Sequence, residues 1–167
     1  MDTLFAIPII VFATMLQIGI VSQITLINGT ADLVLIVIIA WTLQNNSRKV
    51  WFWSILAGVI VGYISAVPAF IPLVSYIFAT GIAVIIKKRL WQTPLIAMFF
   101  IILLTTILQQ SMTVLTLQIQ GVAISFRDSL TLITLPSVLL NLLISIPVFY
   151  LIKDIARWLY PLEVENE

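Results

Sequence analysis

The sequence predicts an all-α, polytopic membrane protein with six transmembrane helices. Three observations predict it. Hydrophobic residues make up 62% of the chain and charged residues only 9%, against roughly 45–50% and about 25% in soluble domains. The mean hydropathy is +1.19, so one internal core cannot hide the apolar excess and lipid must solvate most of it. The apolar residues also fall into six runs, with basic residues gathered between them. This composition excludes a soluble domain, a disordered chain and a nucleic-acid binder. The chain has no Cys and no His. Disulfides, thiol catalysis, the commonest metal ligand and the commonest general base are therefore unavailable to it.

Crossing the hydrocarbon core takes about 20 mostly apolar residues. The first span is read over residues 4–27, which hold no charge. Asp2 stands where a signal peptide carries a positive n-region, and the apolar run exceeds a typical h-region, so this span is expected to persist. The second run, Leu33–Leu43, has eleven residues and a rise of about 16 Å. Either it extends back toward Asn28, giving a span over 30–44, or it is a short re-entrant element inside the bundle. The remaining spans are read over 50–67, 70–86, 94–117 and 130–152. No linker separates them, so residues 1–160 form one membrane domain, followed by an acidic tail over 161–167.

Charge orients the bundle. Six crossings place Arg48 and Lys49, then Lys87, Lys88 and Arg89, then Lys153 and Arg157 on one face, leaving Arg127 opposite. The positive-inside rule makes that face cytoplasmic and puts both termini there. Trp41, Trp51, Trp53, Trp91 and Trp158 adjoin the same clusters, as an interfacial belt would.

No Asp, Glu, Lys or Arg is expected near the middle of a span, which weighs against an ion-coupled pump or a channel. Span five carries Thr105, Gln109, Thr113, Thr116 and Gln120 on one helical face, and span six carries Thr134, Ser137, Asn141 and Ser145 on another. Interhelical hydrogen bonding is the favoured explanation, ahead of a partner interface and a ligand cavity. Gly58 and Gly62 form a GxxxG step. Close packing within the chain is expected of it, with a homodimer as the alternative. Pro94 suits a first helical turn, while Pro136 and Pro147 are expected to kink span six. Asp128 and Ser129 are candidate caps for that span. No HExxH, P-loop, GxSxG or paired-carboxylate pattern is present, so the protein is not expected to be an enzyme or to hold a cofactor or metal.

Several local patterns go further. Ala31, Asp32, Leu33, Val34, Leu35 and Ile36 resemble the "PDLLL" stretch that opens the second helix of the rod shape-determining protein MreD family. Ala57, Gly58, Val59, Ile60, Val61, Gly62 and Tyr63 are similar to its "GFxxGLL" segment. Residues 136–160, with Asn141 and Pro147, resemble its closing "NxxxxxP" helix and basic tail. The chain departs from the family at Ala31, where Pro is common, and at Ala66, near which the family often has Asp. The resemblance implies a non-enzymatic scaffold of the bacterial cell-elongation machinery in the inner membrane. It implies MreC as partner and, through MreC, the RodA glycosyltransferase and a class B penicillin-binding protein. It also implies a fold like that of the substrate-binding subunits of ECF-type vitamin transporters, which is the alternative function. Asp32, Gly58, Gly62, Gln109, Thr113, Thr116, Asn141 and Ser145 are the candidates for a partner interface or for interhelical packing. Lys87, Lys88 and Arg89 are placed to meet anionic membrane lipid.

Overall fold

The structure is a computed structural model that describes residues 2–44, 49–89 and 93–159. Arg48, Trp91 and the acidic tail over 161–167 lie outside the described residues. Helix α1 (Asp2–Gly19) is followed by a single 3-10 turn and a hairpin of β1 (Thr25–Leu26) and β2 (Gly29–Thr30). Then come α2 (Leu33–Leu43), α3 (Val50–Ile64), α4 (Phe70–Arg89) and α5 (Pro94–Ile119). The short α6 (Phe126–Ser129), a π-helical segment (Leu130–Thr134) and α7 (Leu135–Leu159) complete the chain. Among the described residues, four helical stretches are long and apolar enough to cross a membrane: Ala6–Gln23, α4, α5 and the continuous run Phe126–Leu159. Helices α2 and α3 are shorter.

Helix α2 is the centre of the bundle. All eleven of its residues are buried, and it packs against α1, α3, α4, α5 and α7. Its sequence is apolar on every face, the pattern of a helix enclosed by other helices. The Lys87 ammonium, in the last turn of α4, donates to the carbonyls of Thr42 and Gln44. These carbonyls lie at the end of α2, where the helix itself offers no donors. The same contact brings the basic end of α4 to the C-terminal end of α2.

The N-terminal third differs from its sequence reading. The first helix ends at Gly19, not near residue 27, and α2 does not extend back toward Asn28. An antiparallel hairpin lies between them, pairing Thr25 with Thr30 and Leu26 with Gly29. Its seat is on the last helix. Pro136 has no N–H, so the Leu132 carbonyl lacks the donor that a helix would supply four residues later. The N–H of Asn28 fills that place at 3.2 Å. Helix α7 is preceded here by the π-helical segment, in which the Leu135 N–H bonds to the Leu130 carbonyl. Gly29 makes the approach sterically feasible. A Cβ there would stand 2.5 Å from the Ser137 nitrogen and 2.8 Å from the Ile133 carbonyl oxygen.

Two other expectations change. Asp128 and Ser129 do not cap the last helix: it begins at Phe126, with Ser125 as N-cap and no side-chain cap bond. Asp128 lies in the first turn, where the helix dipole favours a carboxylate. Ser129 Oγ is buried without a hydrogen-bond partner. Trp41 and Trp53 are not interfacial. Both are buried, and their rings stack at 4.2 Å with an interplanar angle of 18°, joining α2 to α3. Trp51 and Trp158 are exposed.

Gly58 and Gly62 seat α3 on α4. An added Cβ would lie 2.7 Å from Leu73 Cα at Gly58 and 2.9 Å from the Ala69 carbonyl oxygen at Gly62. The GxxxG step is therefore filled by a helix of the same chain. Pro94 occupies the first turn of α5, and Pro147 lies inside α7.

Candidate functional site

The polar residues of the bundle converge on Asp32. As N-cap of α2, it accepts the Leu35 N–H on Oδ1 at 2.9 Å, satisfying one free donor of the first turn. Tyr76 of α4 places its hydroxyl 2.9 Å from both carboxylate oxygens. Gln109 of α5 donates from Nε2 to Oδ2 at 3.1 Å. Every group described around this carboxylate is thus a donor.

The non-helical backbone before α2 is satisfied by side chains. Thr30 N–H donates to Ser137 Oγ at 3.1 Å, and Asp32 N–H donates to Asn141 Oδ1 at 2.7 Å. Gln17 of α1 accepts from Leu33 N–H on Oε1 at 2.6 Å and donates from Nε2 to the Ala31 carbonyl at 2.8 Å. Irregular backbone persists in an apolar bundle only where its polar groups find such partners. Asn141 also donates from Nδ2 to Thr106 Oγ1 at 2.9 Å. One network therefore links α1, α2, α4, α5 and α7.

Three helices give the same depth for this centre. Asp32 precedes the eleven residues of α2. Tyr76 stands eleven residues before Lys87, and Asn141 stands twelve before Lys153. Each interval rises about 16–18 Å, so Asp32 lies inside the bundle, well away from the basic ends of α4 and α7. An apolar run of eleven residues looks like a truncated span whose ends reach the surface. Here its N-terminus is enclosed instead.

A cavity of about 480 Å³ adjoins the network. Asp32, Gln109 and Asn141 line it, as do Ser22, Ser65 and Val67 beyond the C-terminal ends of α1 and α3. Among the described residues, Asp32 is the one ionisable residue that lines it, and no aromatic residue does.

Of the sequence candidates, the structure brings together Asp32, Gln109 and Asn141. Thr113 lines the cavity, but its hydroxyl donates to the Gln109 carbonyl in its own helix at 2.9 Å. Thr116 and Ser145 likewise bond within their helices, to Met112 and Leu142. Gly58 and Gly62 lie apart from the centre, on the α3–α4 contact. Sequence reasoning missed Gln17, Tyr76 and Thr106. Gln17 and Tyr76 are polar groups inside otherwise apolar runs, which is a usable signal because each needs a partner in lipid. Compared with known proteins, the chain matches no family model, no curated protein and no solved structure.

Proposed function

We propose that the chain is a non-enzymatic scaffold of the bacterial cell-elongation machinery, of the MreD kind, that holds the transmembrane helix of MreC. One observation carries this reading: the 2.7 Å hydrogen bond from Asp32 N–H to Asn141 Oδ1. It joins two of the three stretches on which the family resemblance rests. The third, around Gly58 and Gly62, is the seat of α4. Asp32, Asn141, Gly58 and Gly62, which stand in the resembling stretches, thus all make tertiary contacts.

In this reading the bundle crosses the bacterial inner membrane six times, with both termini in the cytoplasm. RodA and a class B penicillin-binding protein are reached directly or through MreC. The network around Asp32 keeps the bundle rigid, and MreC packs on lipid-facing side chains of the outer helices. Because α4 fills the glycine step, the partner helix is assigned to α5 and α7, where Leu104, Leu139 and Leu143 are exposed. Packing and hydrogen bonds drive helix association in lipid, so regulation acts through binding rather than chemistry. A photocrosslinking residue at Leu139 or Leu143 tests this. Capture of MreC is expected there and not from buried Leu35; no capture from any exposed position of α5 or α7 would refute the assignment.

A second reading, the substrate-binding subunit of an ECF-type vitamin transporter, is favoured by the polar cavity beside Asp32. Pockets of several hundred Å³ with a few convergent polar groups are the usual form of small-molecule sites.

A further inference from the structure

We infer that the cavity beside Asp32 binds a small organic cation bearing N–H donors, of the primary monoamine class, with the Asp32 carboxylate as its counter-ion. The inference rests on the cavity alone and is independent of the partner proposed above. Asp32 accepts from Leu35, Tyr76 and Gln109, and hydrogen bonds donated to a carboxylate favour its charged form. Yet among the described residues no Lys or Arg lines the cavity. An enclosed carboxylate without a cation is costly, and a bound ammonium supplies the missing charge. An ionisable group enclosed among apolar helices of a membrane bundle is by default a functional site in need of a partner.

The lining also selects among cations. With no aromatic wall, a quaternary ammonium would find no cation–π cage. A primary ammonium instead meets amide and hydroxyl oxygens at Gln110, Thr113, Ser22 and Ser65. Anionic ligands meet a carboxylate and no basic group. A volume of about 480 Å³ is in the range of small-molecule sites and leaves room for a small primary amine.

The test is equilibrium binding of radiolabelled n-butylamine to the purified full chain in nanodiscs of neutral phospholipid. Saturable binding is expected, displaced by isobutylamine but not by butyltrimethylammonium or by butyrate. Asp32→Asn keeps a good N-cap and is expected to weaken binding by about tenfold or more, the loss of one charge-assisted hydrogen bond. Thr113→Trp fills the cavity while leaving the Asp32 hydrogen bonds in place, and is expected to abolish binding. The inference is overturned by any of three results: no saturable binding to the unaltered chain, undiminished binding by folded Asp32→Asn or by Thr113→Trp, or equal competition by butyltrimethylammonium.

Discussion

Asn28 donates its backbone N–H to the carbonyl of Leu132 at 3.2 Å, the carbonyl that Pro136 leaves without a helical donor. A helix break and a hairpin more than a hundred residues apart thus answer each other. Gly29 permits the contact, because a Cβ would meet backbone atoms of the last helix at 2.5–2.8 Å. Gly29→Ala is expected to destabilise the folded protein by about 1–3 kcal/mol, the usual range for overpacking. The thermal unfolding midpoint in detergent should fall, and hydrogen exchange should rise in 25–30 before it rises in α2.

Ile27 carries the turn of the hairpin with a φ of 58°. Such a conformation is strained for a β-branched residue, and the side chain is 63% exposed, so little packing compensates. Ile27→Gly is expected to stabilise the protein by up to about 1 kcal/mol by removing that strain. Unfolding midpoints of the two proteins, measured side by side, check this. A lower midpoint for the variant would show that the turn is not strained.

Asn141 accepts from Asp32 N–H and donates to Thr106. Asn141→Leu leaves both partners unmet inside the bundle, at an expected cost of about 1–3 kcal/mol per unsatisfied group. Leu143→Ile, on a side chain 69% exposed, is expected to be neutral within ~0.5 kcal/mol. Gln109→Leu removes one donor from Asp32 and should fall between the two. A ranking by unfolding midpoint that puts Leu143→Ile among the damaging changes would contradict the network.

The α3–α4 contact predicts a separate effect. Gly58→Leu places a side chain against Leu73 Cα, where even a Cβ would come within 2.7 Å. Helices α3 and α4 are expected to separate, with a fall in the unfolding midpoint in detergent. Gly81→Ala, whose Cβ would meet Trp51 at an ordinary 3.5 Å, is expected to leave the midpoint nearly unchanged, and an equal fall for both variants would contradict the close α3–α4 contact.

Much of this architecture was legible in the chain itself. Composition identified the solvent, and the apolar runs located the helical stretches. The spacing of Gln109 and Asn141 marked faces that turn inward, and Gly58 and Gly62 marked a close helix contact. Two features were hidden for physical reasons. Residues 20–27 are as apolar as α1 itself, so hydropathy could not end the helix at Gly19; that boundary is set by docking onto Pro136. Asp32 stands at the edge of an apolar run, where a linear reading puts the membrane surface. Its true surroundings come from Tyr76 and Gln109, residues 44 and 77 positions away. The stacking of Trp41 on Trp53 was masked similarly, because a tryptophan beside a basic cluster suits an interface as well as a core.

The most direct test of the scaffold proposal is affinity purification of the tagged chain from native membranes in mild detergent, with mass spectrometry of what accompanies it. The account predicts recovery of MreC together with RodA or a class B penicillin-binding protein. Recovery of paired ABC-type ATPases and a coupling membrane subunit, without MreC, would contradict it.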